Sequence, residues 1–380
     1  MDKNVVIAGF ARSPFHFAGK GELASVRPDD LAAAVVVELI KRTGIDPVEI
    51  EDLIMGCAFP EGEQGFNIAR LVVNIANLPV SVAGTTVNRF CGSSMQSIHM
   101  AAGAIQMGAG QAFICAGIES MSRIPMGGFN PLLNPTLARN YPQAYIGMGE
   151  TAENLAKKYS ISREKQDKFA LSSHQKVAAA RDAGKFKDEI VEITTPTGRK
   201  ITADGCIRPE TTLEGLKGLK PAFDQSGTVT AGTSSPLTDG ASATLITSEE
   251  FAKAHGLKIL ARIKSIAVSG CAPEIMGIGP VPATSKALAR AKLTTADIDI
   301  IELNEAFAAQ SLSVLEELKF DQSKVNLDGG AIALGHPLGA SGARITGKVA
   351  SLLKREGKQF ALATMCIGGG QGIATILEAV

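Results

Sequence analysis

The chain has 380 residues, enough for two or three domains around a sizeable core. Charged residues make up 20% and hydrophobic ones 45%, which excludes a disordered chain. The 38 basic and 38 acidic residues cancel, and Trp is absent, so neither a phosphate-binding charge excess nor a base-stacking platform is present and nucleic acid is excluded as the main partner.

The first residues, MDKNVVIAGF, lack the basic head and long apolar run of a signal peptide, and Leu31–Val37 is too short to span a membrane. Six cysteines, at 57, 91, 115, 206, 271 and 366, form no CxxC pair. Free thiols in a reducing, cytoplasmic setting, with no membrane contact, are the expectation.

In chain order, 5–8 reads as a strand and 31–42 as a helix entered through Arg27-Pro28-Asp29-Asp30. A strand over 52–59, a helix over 65–77, a strand over 85–90, a helix over 92–107 and a strand over 112–116 follow. Residues 122–142 are rich in Pro, Gly, Asn and Met and read as a long loop; 151–158 and 163–183 read as charged amphipathic helices, and 194–230 as turns. Strands over 259–268, 297–303, 325–327 and 359–366 then alternate with helices over 283–292, 306–318 and 342–355. Such alternation predicts an α/β fold with mainly parallel, mixed sheets.

The two ends of the chain match at an offset near 248 residues. Glu49-Ile50 falls on Asp297-Ile298, and Cys91-Gly92-Ser93-Ser94 on Gly339-Ala340-Ser341-Gly342. This predicts duplicated βα halves, one formed by 1–119 with 240–258 and the other by 259–380. The inserted segment 120–239 would lie over the strand ends, where α/β folds bind ligands.

Three positions suggest chemistry. Cys91 stands between a strand and a helix, where free N–H groups and a helix dipole stabilise a thiolate and can hold an oxyanion. His336, framed by Gly335 and Pro337 at the duplicated turn, is suited to take the thiol proton. Cys366 precedes the glycine run Gly368-Gly369-Gly370, whose backbone can approach a ligand closely. Each has a plainer reading, as a core cysteine or a histidine packed in a tight turn. Gly342 to Val349 nearly matches a phosphate loop, but ends in Val349 within a predicted helix, so it is a chance match. No His and carboxylate spacing suits a metal.

These residues lie in VNRFCGSSMQ around Cys91, MGETAE from Met148, SPLTDGA from Ser235, NEAFAAQ from Asn304, GGAIALGHPLGASGAR around His336 and CIGGGQG from Cys366. With these motifs in this order, the chain resembles the thiolases over essentially its whole length, most of all the bacterial degradative 3-ketoacyl-CoA thiolases. The resemblance implies a thiolase-like fold and thiolytic cleavage of 3-ketoacyl-CoA by CoA in fatty-acid β-oxidation. It implies Cys91 as the acylated nucleophile, His336 as its activator and Cys366 as the acid/base. It also implies Asn304 as holder of an oxyanion-hole water, and the backbone N–H groups of Cys91 and Gly368 as a second oxyanion hole. Met148, Arg208, Phe223, Ala231, Ser235, Leu237 and Phe307 are implied along CoA, which is a substrate; no cofactor is implied. A homodimer or homotetramer is implied, with a hydratase–dehydrogenase subunit as a further partner. Acetoacetyl-CoA thiolases commonly carry His before the Met matched by Met148; here Gly147 stands there, which favours longer acyl chains. A ketoacyl synthase would need a second histidine in the C-terminal half, where His336 is the only one after His255. A non-catalytic acyl-CoA-binding protein on this fold should have lost one of Cys91, His336 and Cys366.

Overall fold

The computed structural model describes residues 3–380; Met1 and Asp2 lie outside the described residues. The chain enters through the buried strand β1 (Val5–Arg12) and a short β2 (His16–Phe17). Helix α1 (Pro28–Thr43) starts with Pro28 and two acidic residues and stops at Gly44, whose φ of +71° is a left-handed cap. There follow β3 (Asp52–Gly56), α2 (Ile68–Ile75), β4 (Ala83–Val87), α3 (Ser93–Met107) and β5 (Ala112–Ser120). Residues 121–237 then carry the helices α4 (Pro135–Asn140), α5 (Met148–Lys158), α6 (Arg163–Asp182) and α7 (Leu213–Lys217), and the ribbon of β6 (Ile193–Thr194) and β7 (Lys200–Ile201). The chain rejoins the sheet as β8 (Thr238–Ser248) and turns through α8 (Glu249–Ala254). The second part runs β9 (Ala261–Gly270), α9 (Pro280–Ala291), β10 (Ile300–Leu303), α10 (Ala308–Leu318), α11 (Ala331–Leu334), α12 (Leu338–Glu356), β11 (Phe360–Ile367) and β12 (Gln371–Glu378). No described helix is long and apolar enough to cross a membrane.

One sheet runs β10-β11-β12-β9-β1-β8-β5-β3-β4. Its two parts meet at β1 and β9, through only the pairs Val6–Arg262 and Ile7–Ala261. Outward from that seam the order is β1, β8, β5, β3, β4 on one side and β9, β12, β11, β10 on the other. The expected strand at 325–327 is a single bridge, Ile301 to Val325, standing where β4 stands in the first part. The halves therefore repeat in space, and they differ where β5 runs to β8 through 121–237 while β11 turns directly into β12.

The sheet is mixed, but parallel pairing does not predominate. Only β3–β4, β3–β5 and β10–β11 are parallel. The excess of antiparallel pairs comes from β8 and β12, two strands absent from the sequence reading, which pair antiparallel with β5 and β1 and with β11 and β9.

Helices α3 and α12 form a middle layer between the halves. Their apolar residues, among them Met95, Ile98, Ile345 and Val349, share one core cluster. Small residues allow this, since a Cβ on Gly342 would lie 2.3 Å from the Met95 backbone nitrogen. Ser94 Oγ accepts the Ala343 N–H at 2.8 Å. Outside this layer, α1 and α2 cover the first part of the sheet, and α9 and α10 the second. The phosphate-loop look-alike lies inside α12. Its Lys348 is buried and pairs with Glu189 and Asp328. Glu189 and Asp204, from the inserted segment, pair with the fully buried Arg12 of β1. The insertion is thus tied to both halves by buried charges, each of which would be costly to leave unpaired.

Candidate active site

Cys91 lies in a single 3-10 turn, Phe90–Gly92, between β4 and α3. Phe90 has φ of +42°, a left-handed angle that a side chain resists, so the surroundings must hold it. Asn88 Oδ1 accepts the Phe90 N–H at 2.9 Å, and Ser93 Oγ donates to the Phe90 carbonyl at 2.6 Å. Cys91 is half-buried, and the backbone N–H groups of Gly368 and of Cys91 itself favour the ionised form of its sulfur. The expectation of a thiolate favoured by the helix terminus is corrected here. Burial outweighs those two donors, the Glu119 charge adds to it, and the thiol is pushed up to about 11.

His336 follows α11, in the turn that opens α12. Its Nδ1 lies 2.5 Å from Ser341 Oγ. The Ser341 hydroxyl donates to the Pro337 carbonyl at 3.0 Å, so it accepts from His336 and Nδ1 carries the proton. Nε2 is then the ring's acceptor and takes the Asn304 amide N–H at 3.3 Å. Burial, with the nearby Arg344 charge, pushes the imidazole down to about 3, so the ring is neutral at physiological pH. The His336 N–H is anchored on Thr238 Oγ1 at 3.1 Å.

Asn304 follows β10, with its N–H on the Thr364 carbonyl of β11 at 3.0 Å. Its amide is fully buried, and Oδ1 has no partner. Cys366, next to last in β11, is buried among Met148, Met276, Ala306 and Phe307. Burial, then the neighbouring Cys91 sulfur, push the Cys366 thiol well above its ordinary value. Between β11 and β12 the chain reverses through Gly368–Gly370, where Gly369 and Gly370 adopt φ of +78° and +83°.

Cys91, His336 and Cys366 line one cavity of about 420 Å³, a size suited to a small-molecule site. The inserted segment supplies Met148, Phe223, Ser235 and Leu237 to its wall, and the second half supplies Phe307. Arg208 and Ala231 are exposed and outside this lining; the Arg208 guanidinium lies over the Phe17 ring at 4.9 Å. Gly147 also lines the cavity. Met121, Met126, Glu150, Met276 and Leu338 also line it and were not singled out from sequence, nor was Ser341 behind the histidine. A hydroxyl in the first turn of the helix after His336 was the available signal for Ser341. Among the described residues no three His, Cys, Asp or Glu converge as metal ligands would.

The thiolase N-terminal domain matches residues 5–250 and the thiolase C-terminal domain residues 257–379. The 3-ketoacyl-CoA thiolase of Bacillus subtilis (strain 168) is 50% identical over 388 residues, covering 99% of both chains. That of Shewanella frigidimarina (strain NCIMB 400) is 51% identical over 388 residues, covering 100% of both. The crystal structure of human mitochondrial 3-ketoacyl-CoA thiolase superposes with a TM-score of 0.91 at 41% identity, covering 100% of this chain and 99% of that one. A structure of the human enzyme in complex with CoA superposes equally well. With both domains matched in order across nearly every residue, and the two cysteines and the histidine meeting in one cavity, this chain belongs to the thiolase family.

Proposed function

We infer that this enzyme cleaves 3-ketoacyl-CoA with CoA, giving acetyl-CoA and an acyl-CoA two carbons shorter, through an acyl group carried on Cys91. The observation that carries this reading is the meeting of two thiols and a neutral imidazole on one apolar cavity. His336 Nε2 takes the Cys91 proton as the sulfur attacks the 3-keto carbon. The resulting imidazolium then presents Nε2–H to the substrate oxygen. Asn304, with its free Oδ1, is suited to hold a water beside it. The C2–C3 bond breaks, and Cys366 protonates the departing acetyl-CoA carbanion. A thiol raised well above its ordinary value keeps its proton until a carbanion forms, which suits an acid for carbon. CoA then attacks the acyl-Cys91 carbonyl, giving its thiol proton to the Cys366 thiolate, while the His336 imidazolium returns its proton to the departing Cys91 sulfur. The N–H groups of Cys91 and Gly368 are suited to the thioester oxygen, a contribution on the order of 3 kcal/mol per donor. Every step is a proton transfer or the exchange of one two-electron bond for another, so the scheme calls for no redox carrier.

Incubation with an acyl-CoA in the absence of free CoA, followed by peptide mass mapping, is expected to find the acyl group on Cys91. An acyl group on Cys366 or Cys57 would overturn the assignment.

Met148, Phe223, Ser235, Leu237 and Phe307 are proposed along the pantetheine arm, with Arg208 and Ala231 farther out toward the nucleotide. Gly147 has ordinary extended angles, φ −65° and ψ 142°, so no special backbone conformation requires glycine. A Cβ there would meet only the Glu150 carboxyl, at 3.7 Å, which leaves room beside the acyl group. Each methylene buried contributes about 0.8 kcal/mol, nearly fourfold in binding. We therefore expect kcat/KM to rise from the four-carbon to the six- to ten-carbon 3-ketoacyl-CoA. Best activity on acetoacetyl-CoA would instead make the enzyme an acetyl-CoA acetyltransferase.

A role in fatty-acid β-oxidation, with a hydratase–dehydrogenase subunit as partner, fits this chemistry. A homodimer or homotetramer is also proposed. Strand β4 is a sheet edge, and Phe66 and Val80 near it are 93% and 85% exposed. Light scattering at micromolar concentration is expected to show at least a dimer; a monomer would contradict this.

A further inference from the structure

Glu119 lines no part of the cavity, yet one of its oxygens is bonded toward both reacting side chains. It stands next to last in β5 and is fully buried. Oε2 accepts the N–H of Ala58 at 2.8 Å and that of Gly339 at 2.8 Å. Oε1 accepts the Gln64 amide at 2.9 Å and the Phe59 N–H at 3.2 Å. From Ala58 the connection runs through its carbonyl to Asn88 Nδ2 at 2.9 Å, and from Asn88 Oδ1 to the N–H of Phe90, the residue before Cys91. From Gly339 it enters the first turn of α12, which carries Ser341, the partner of the His336 ring.

The halves are nested here backbone to backbone. A Cβ on Gly117 would lie 2.1 Å from the Gly339 carbonyl, and one on Gly339 would lie 2.5 Å from the Ile118 carbonyl and 2.9 Å from Glu119 Oε2. The four strong bonds to the carboxylate all come from N–H donors, so its charged form alone satisfies them. An amide in its place would turn an NH2 group against two donors whichever way it faced.

We propose that Glu119 is the positioning residue that sets the spacing of Cys91 and His336, by holding the nucleophile's turn and the histidine's helix on one carboxylate oxygen. It acts through those two turns and touches no substrate. The inference rests on the roles assigned to Cys91 and His336, which acylation of the wild-type enzyme tests separately.

The test compares Glu119→Gln, which removes the charge, with Glu119→Asp, which keeps it but is too short to span Ala58 and Gly339. Both variants are expected to lose about 100-fold in kcat for thiolysis, the scale of a misplacement near 1 Å, with KM for both substrates within about threefold. The pH profile of Cys91 alkylation by iodoacetamide separates them. The Glu119 charge opposes ionisation of the Cys91 and Cys57 thiols, the titratable groups facing it. The Gln variant should therefore shift the Cys91 midpoint to lower pH, while the Asp variant leaves it in place. A folded variant of either kind that keeps kcat within threefold of wild type overturns the proposal. So does a loss that follows the unfolded fraction with both alkylation profiles unchanged, or failure of both variants to fold, since the carboxylate would then be purely structural.

Discussion

Cys366→Ala is expected to cut thiolysis of a 3-ketoacyl-CoA by about 10³-fold or more, within the range of a lost general acid, while Cys91 still takes an acyl group from a simple acyl-CoA. The two reactions differ in one step. Transfer of an acyl group from an existing thioester needs a nucleophile and a base, which the proposed mechanism assigns to Cys91 and His336. Cleavage between carbons also leaves a carbanion, which needs a proton at once. Among the titratable groups lining the cavity, Cys366 is the one other thiol, facing the Cys91 sulfur from the end of β11. Its neighbours Met148, Met276, Ala306 and Phe307 offer no proton in its place. Steady-state thiolysis and mass-detected acylation, run on the same preparation, separate the steps. Near wild-type thiolysis would remove Cys366 from the proton path. Loss of acylation along with thiolysis would mean that the substitution had disturbed Cys91 itself. Because alanine removes only the sulfur from a packed position, the cluster around it should persist, and an unchanged far-ultraviolet spectrum would show that it does.

The alternation of strands and helices, the duplication and the three turns were legible because each is a local signal. Glycine, proline and a change of period mark the turns at Cys91, His336 and Cys366. Strands β8 and β12 were not legible, because the rule that finds strands looks for alternation. β8 reads TDGASATLITS, a run of small, hydroxyl and apolar residues buried along its whole length, with no polar face to set a period. Its absence made the sheet look more parallel than it is. The single bridge at Val325 shows the opposite error, in which the apolar–polar–apolar triplet Val325-Asn326-Leu327 suggests a strand but only one residue pairs. At the site, the reacting residues carry sequence signals, whereas their supports do not. Ser341, Thr238, Glu119 and the methionines of the cavity wall matter through where the fold brings them. The ionisation of Cys91 is the sharpest case. A helix terminus pointed to a lowered thiol, but the depth of burial sets the outcome, and depth is a property of the assembled halves.

That raised thiol makes His336 indispensable in a way that a pH series can read. With the Cys91 thiol at about 11, only about one molecule in 10⁴ carries a thiolate at pH 7, since each unit is tenfold. In the proposed mechanism the wild-type enzyme avoids this limit, because His336 takes the proton as the sulfur attacks. With its own value pushed to about 3, the imidazole is neutral and its Nε2 available throughout the working range. Lowering the pH removes this base only near 3, and raising it frees the thiolate directly only near 11. Acylation of the wild-type enzyme should accordingly be flat from about pH 5 to 9. In His336→Ala the thiolate becomes the sole nucleophile, so the acylation rate should fall by up to about 10⁴-fold at pH 7 and climb nearly tenfold per pH unit. Added imidazole should restore part of the rate at pH 7, because the vacated ring site opens on the cavity. Rapid-mixing acylation at several pH values, with Cys91 occupancy read by mass, makes the measurement. A variant that stays within tenfold of wild type at pH 7, or whose profile is flat, would assign the thiol proton to another group and remove His336 from the attack step.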